Sequence, residues 1–198
     1  MDESALIGRR TQGPKARRPR PVLPVSERDT AAQYKPTTVF PAQKVEAHVL
    51  GLLLRHPDLL FRLDRALQEN SLGRMSPEDF GNTDHLVLFR LVREALEQDA
   101  ADADHFLVEH LPESLTGLMG SLLEGSLDLD QNADHLLEDL FRGVLAMRRR
   151  VVDENISQLR YLIEDDQMMA EPYRQMVLQH TRMRQLLDKA HLNQNGHK

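Results

Sequence analysis

The chain has 198 residues, of which 40% are hydrophobic and 28% charged, with a formal net charge of −6 and no cysteine. This length suits one ordinary domain with extensions, and the lack of cysteine excludes disulfides, thiolate nucleophiles and every cysteine-based zinc or iron–sulfur site. The N-terminus carries no apolar stretch behind its charges and no segment is long enough to span a membrane, so we expect a cytoplasmic protein with no membrane partner.

The first 43 residues differ in composition from the rest of the chain. They hold six of the ten prolines and eight Lys/Arg against four Asp/Glu, whereas the remainder holds 17 Lys/Arg against 27 Asp/Glu. Such a segment cannot bury enough apolar surface to offset the entropy of ordering, so we predict a disordered Pro/Arg-rich linker over residues 1–43. Either this linker is simply solvated, or its Arg17, Arg18 and Arg20 make weak contact with nucleic acid.

Apolar periodicity of the helical kind begins at Lys44. A first buried helix is expected to end near His56, because Pro57 disfavours helical geometry in the residue before it. Pro57 suits the first turn of a second helix, which we predict to run to about Glu69. The two inner faces share aliphatic residues at helical spacing: Val45, Val49, Leu52, Leu53, Leu59, Leu60, Leu63, Ala66 and Leu67.

The middle of the chain contains several helix-start signals. Ser76, Pro77 and Asp79 form the pattern of an N-cap, a first-turn proline and an acid three residues on, which predicts a short helical turn. Asn82 is the expected N-cap of a third helix over about 83–98. Its core stripe is predicted to contain Leu86, Phe89, Val92 and Leu96. Two shorter helices should follow, at about 102–111 and 112–124.

The longest periodic run follows a loop at 128–131 and continues to about Asp165, and a last helix is expected at about 168–192. Two long helices with a short loop predict an antiparallel hairpin. The predicted fold is therefore all-α. It has a helical bundle at 44–145, a helical hairpin at 146–192 reached through a long connecting helix, and a disordered tail at 193–198.

Catalytic and metal-binding patterns are weak. Asp128, Asp130, Asn132 and Asp134 alternate like the start of a calcium-binding EF-hand loop, but Ala133 stands where that loop needs glycine and Asp139 where it needs glutamate. A second group, His105 and Glu109, shares a helix face, but His110 does not and no third ligand has suitable spacing. We therefore expect no catalytic residue, no cofactor and no metal.

Two features indicate protein binding instead. Arg148 and Arg149 belong to a basic cluster at the junction of bundle and hairpin, which is either solvated or pairs with acids of a partner. Four of the eight methionines lie at the last helix, where they either fill the hairpin seam or form an adaptable binding surface. Since a two-helix hairpin cannot cover all of its own apolar surface, we expect some of it to remain open to a partner.

The sequence resembles a known family along residues 44–192. VLGLLLRHPDLL at 49–60 is similar to the opening of the C-terminal domain of bacterial DnaG-type DNA primase, where a His-Pro break separates two apolar helices. The segments FGNTDHLVLFRLVREAL, RRRVVDENISQLRYLIED and YRQMVLQHTRMRQLLDKA fit the same pattern, and the Pro/Arg-rich arm resembles the linker before that domain.

The resemblance implies a role in DNA replication. This domain of primase binds the hexameric DnaB-type replicative helicase in the primosome, recruiting primer synthesis to the fork and modulating the helicase. The terminal hairpin supplies most of the docking contact in that family, and the free domain is expected to be a monomer. Carried over to this chain, the resemblance implies a docking surface drawn from the hairpin: Tyr161, Met169, Tyr173, Met176, Met183 and Leu187.

The sequence also departs from a complete primase. Neither the cysteine/histidine zinc module nor the acidic polymerase domain is present, so this chain alone is not expected to be an enzyme that makes primers. Two alternatives remain open. The N-terminal domain of the replicative helicase has a similar bundle and hairpin, and a DNA-binding adaptor could use the basic arm.

Overall fold

The computed structural model describes residues 41–98, 103–126, 132–165 and 170–195. Within these ranges the chain forms α-helices joined by loops and two short 3₁₀ helices, with no strand, which confirms the predicted all-α fold. The helices are α1 (Pro41–Arg55), α2 (Leu59–Glu69), α3 (Thr83–Glu97), α4 (Ala103–His110), α5 (Thr116–Gly125), α6 (Ala133–Asp165) and α7 (Ala170–Asn195), with 3₁₀ turns at Pro77–Asp79 and Glu113–Leu115.

Most helix ends follow the local signals in the sequence. Asn82 caps α3, and its side chain accepts hydrogen bonds from the backbone N–H groups of Asp84 and His85. Ser76 and Asp79 form the expected capping box around the first 3₁₀ turn. The second helix begins two residues later than predicted, because Pro57 and Asp58 form a turn before it.

The predicted boundaries of the disordered ends are wrong where the structure describes them. Pro41–Gln43 belong to the first turn of α1, and α7 continues to Asn195 instead of stopping at 192. Residues 1–40 and 196–198, which carry the rest of those predictions, lie outside the described residues.

Helix α1 lies at the centre of the core. Its Val49, Leu50, Leu52 and Leu53 are fully buried. It approaches two neighbours closely at glycines: a Cβ on Gly51 would lie 2.9 Å from the carbonyl oxygen of Leu122 in α5, and one on Gly143 of α6 would lie 2.5 Å from the Val49 side chain. Glycine therefore sets the distance from α1 to α5 and to α6.

A buried carboxylate ties α1 to the start of α3. Glu46 accepts hydrogen bonds from the backbone N–H groups of Gly81 (3.1 Å) and Asn82 (3.2 Å), and its Oε2 lies 3.1 Å from Nδ1 of His85. Burial alone would raise the pKa of Glu46, but the contact with His85 and the two backbone donors together hold that pKa below its ordinary value.

Helix α6 belongs to both the bundle and the hairpin. Polar contacts fix its first half to the bundle, among them the 2.6 Å pairs Arg62–Asp134 and His48–Asp139. Helix α7 runs back along α6, and its Leu187 and Ala190 join the bundle's own hydrophobic core. The predicted boundary at 145/146 falls inside α6, where the backbone is continuous helix.

Candidate docking surface

The residues expected to dock a partner have different environments. Tyr161, Met176 and Met183 are exposed, at 69%, 44% and 42% respectively, while Tyr173 is partly buried. Met169 lies outside the described residues. Leu187 is only 2% exposed and packs in the core, so its assignment to a docking surface is wrong. The bundle covers it because the C-terminal half of α7 folds back against the bundle.

Arg148 is used inside the molecule. Its guanidinium donates from Nε and Nη2 to the two carboxylate oxygens of Asp79 at 2.7 and 2.8 Å, and to the backbone carbonyls of Gly73 and Arg74 at 2.7 Å each. The Arg148 and Asp79 side chains are only 15% and 10% exposed. The hypothesis that Arg148 pairs with acids of a partner is therefore wrong, because an internal carboxylate holds it.

Arg149 also has internal partners, although it stays about half exposed. Its Nη1 lies 3.1 Å from Asp188 of α7, and Arg184 of α7 lies 3.1 Å from Asp153 of α6. These ion pairs cross from one hairpin helix to the other in reversed sequence order, as antiparallel helices require. They close one edge of the seam whose interior holds Val152, Ile156 and Leu159.

The other edge of the seam on α6 presents a different surface. Val151, Asn155, Gln158 and Leu162 follow one another at spacings of four, three and four residues, which places them on one face of a helix. Val151 and Leu162 are 43% and 38% exposed. No member of this face is charged, although the faces beside it carry arginines and acids.

Helix α7 contributes a matching face. Met176, Gln179 and Met183 lie within two helical turns on one side, and Ala190 lies two turns further along the same line. Ala190 packs against the bundle and is only 1% exposed. Met176 and Met183 lie farther from the bundle and are exposed. Because the ion pairs Arg149–Asp188 and Arg184–Asp153 lie on the opposite edge of the antiparallel pair, helical spacing places this line on the same side as Val151 and Leu162. We call the surface formed by Val151, Asn155, Gln158, Leu162, Met176, Gln179 and Met183 the hairpin face.

The part of this surface that lies on α6 was not predicted from the sequence. Neither Val151 nor Leu162 is among the docking residues predicted from the sequence. The spacing Val151, Asn155, Gln158, Leu162 could have identified them, because it gives one uncharged stripe in a helix that is otherwise rich in charge. Tyr161, by contrast, lies two residues after the buried Leu159, which places it on the outer side of α6, away from the hairpin face.

His110 and Asn132, which belong to the two weak metal-binding patterns, have other contacts. His110 stacks on Phe106 with ring centroids 4.0 Å apart, and its Nδ1 lies 3.1 Å from the Phe106 carbonyl oxygen. Asn132 accepts a hydrogen bond from the N–H of Asp134 at the start of α6, while Asp128 and Asp130 lie outside the described residues. In the described part of the chain, no group of three or more His, Asp or Glu could hold a metal ion.

None of the described helices is both long and apolar enough to cross a membrane.

Comparisons with known proteins give no assignment: no protein-family model, no curated protein and no solved structure matches this chain.

Proposed function

We propose that this chain is a helical docking domain that binds a hexameric replicative helicase of the DnaB type. The observation that carries the proposal is the hairpin face, an exposed and uncharged apolar surface on two packed helices. The resemblance to the C-terminal domain of DnaG-type primase supplies the identity of the partner. Within that proposal the chain recruits or modulates the helicase and makes no primers by itself.

The composition of the hairpin face favours protein binding. The centres of protein–protein interfaces are depleted of charged residues and enriched in methionine. The hairpin face has two methionines, a leucine and a valine, surrounded by amides and without a Lys, Arg, Asp or Glu. Because Met side chains are flexible, Met176 and Met183 can adapt to the ridges of an opposing helix.

The position of the face suits a rigid docking element. The buried seam residues and the ion pairs Arg149–Asp188 and Arg184–Asp153 hold α6 and α7 together. The contact of Arg148 with Asp79 fixes α6 to the bundle just before the face begins. A partner that covers the hairpin face therefore meets side chains on a preorganised support, which reduces the entropy lost on binding.

The test is calorimetric titration of the full chain with a cognate hexameric replicative helicase. Met176→Glu and Met183→Glu each place a charge in the proposed contact and should weaken binding at least about tenfold, as loss of a central apolar contact does. Leu178→Glu is the matched control, since Leu178 is 51% exposed on the same helix but lies outside the face. We expect its affinity to equal that of the wild type.

Two results would overturn the proposal: no binding of the helicase by the wild type, or equal weakening by Leu178→Glu and Met176→Glu. Point variants are preferable to deletion of residues 146–198. That deletion would also remove Arg148, Leu187 and Ala190, which the bundle needs for its own packing. A loss of helicase binding by the deletion variant would then reflect unfolding of the bundle and not the loss of a docking contact.

The basic arm supports a second candidate, a contact with nucleic acid. Residues 1–43 carry an excess of four positive charges, in contrast to the acidic remainder. We expect any affinity for single-stranded DNA to fall steeply with salt and to disappear when residues 1–40 are removed, because counterion release drives such binding. DNA binding that survives this truncation would exclude the arm as its source.

A further inference from the structure

A second open surface lies at the other end of α7, where α2, α6 and α7 meet. It is a groove of about 540 Å³ lined by apolar side chains of all three helices, among them Ala66, Leu137, Phe141 and Ala190. Polar side chains complete its lining: Glu69, Asn70, Glu138, Asn193 and Gln194. We call it the three-helix groove. Its volume is within the range of about 300–1,000 Å³ typical of ligand pockets.

The polar side chains of the three-helix groove offer more hydrogen-bond acceptors than donors. Asn193 donates to the side-chain oxygen of Asn70 at 3.1 Å, and Gln194 donates from Nε2 to the backbone carbonyl of Glu138 at 2.9 Å. Within the described ranges, the partly buried carboxylate of Glu138 makes no hydrogen bond or ion pair, and the buried Oε1 of Gln194 has no donor.

Among the described residues, Arg65 is the only cation that pairs with a carboxylate of the groove. It pairs with Glu69 at 3.2 Å, and both side chains are more than 60% exposed. A surface pair of this kind is weak and easily exchanged. The groove thus combines an apolar lining with two carboxylates and an amide oxygen. Among the described residues, only Glu69 has a donor, the exposed Arg65, whereas the Glu138 carboxylate and the Gln194 Oε1 have none.

We propose that the three-helix groove binds an arginine side chain of a partner protein, with its aliphatic stem on Ala66, Leu137 and Ala190. The planar guanidinium has five donors and no acceptor, so it matches a site with more acceptors than donors. Glu138 is the principal charge partner, and Glu69 exchanges Arg65 for the incoming cation. This site is separate from the hairpin face, so it can exist whether or not the helicase proposal holds.

The experiment uses benzamidine as the probe, because it joins a planar amidinium to an apolar ring. Titration into the full ¹⁵N-labelled chain should shift the amide resonances of Ala66, Leu137 and Ala190 saturably. Benzamide, a neutral molecule of the same shape, should shift them at least about threefold less at equal concentration, since it lacks the charge that pairs with carboxylates.

The variants identify the carboxylate. Glu138→Gln keeps the shape of the side chain and should weaken benzamidine binding about three- to fivefold, the effect of losing one partly exposed ion pair. Glu69→Gln should give a smaller loss, and Glu164→Gln, an exposed acid near the hairpin tip, should give none. Equal binding of benzamide and benzamidine, or unchanged binding in Glu138→Gln, would overturn the proposal. Loss of helicase binding by Met176→Glu would leave these results unaffected.

Discussion

At the scale of single residues, the charged side chains that contribute most to the stability of the fold are those with internal partners. Arg148 satisfies its guanidinium with four hydrogen bonds to Asp79, Gly73 and Arg74. Removal of Arg148 alone would leave the poorly exposed carboxylate of Asp79 without its cation, which is costlier than loss of an exposed pair. Within the basic cluster, Arg148 therefore orients α6, whereas Arg149 and Arg150 stay about half exposed in ion pairs with Asp188 and Glu154.

Glu46 should make the stability of the protein depend on pH. Its pKa in the folded protein is below the ordinary value of 4.5, so the folded carboxyl binds its proton less tightly than the unfolded one. This contribution is complete above pH 4.5 and is lost as the pH falls through the lower folded pKa. We expect Glu46→Gln to cost about 1–3 kcal/mol of unfolding free energy at pH 7, as loss of a charged hydrogen-bond acceptor does.

The measurement is urea unfolding of wild type and Glu46→Gln between pH 7 and pH 3. The difference in unfolding free energy should shrink as the pH drops below 4.5. Glu164→Gln, at an exposed position of α6, is the control and should match the wild type at pH 7. A difference for Glu46→Gln that stays constant over the whole range would show that the charge of Glu46 does not stabilise the fold.

At the scale of elements, the end of α2 holds a serine in an unfavourable backbone conformation. Ser71 has φ of 60°, in the left-handed region that favours glycine. It follows the C-cap Asn70, and the N–H groups of Ser71 and Leu72 donate to the carbonyls of Gln68 and Leu67. This is the Schellman arrangement of a helix end, with buried Leu72 packed after the turn.

Ser71→Gly should stabilise the protein by up to about 1 kcal/mol. Glycine removes the steric cost of a Cβ in the left-handed region, about 1–2 kcal/mol, and returns part of the gain through its freer unfolded state. Chemical denaturation of Ser71→Gly beside Ser71→Ala tests this, since alanine keeps the Cβ and should give no gain. Equal stability of the glycine and alanine variants would contradict the steric explanation.

At the scale of the whole molecule, the bundle and the C-terminal half of the hairpin share one hydrophobic core. Leu187→Ala should therefore destabilise the bundle as well as α7, by about 2–5 kcal/mol, as truncation of a fully buried leucine does. Hydrogen exchange should show faster exchange of the Leu52 and Leu53 amides in α1. Leu178→Ala, at an exposed position of α7, should change stability by less than about 0.5 kcal/mol.

The outcome that would contradict a shared core is loss of protection confined to α7 in Leu187→Ala, with exchange in α1 unchanged. Bundle and hairpin would then unfold independently, as separate cooperative units do.

Local sequence signals are sufficient to predict the helices of this protein and most of their ends. Capping by Asn82, the Ser76–Asp79 box and the break at Pro57 act within a few residues, so local chemistry is sufficient to predict them. The periodic apolar positions also predicted that α6 and α7 would pack as an antiparallel hairpin. Periodicity identifies an apolar stripe on a helix, but it does not show which part of the molecule covers that stripe.

Contacts between distant segments determine which apolar and charged positions remain exposed. Met183 and Leu187 are one helical turn apart on one stripe, yet the bundle covers Leu187 and leaves Met183 exposed. Arg148 and Asp79 are 69 residues apart, and Glu46 and His85 are 39 apart. Burial and pairing depend on which distant segments meet in space, and a pattern confined to one helix carries no information about its neighbour.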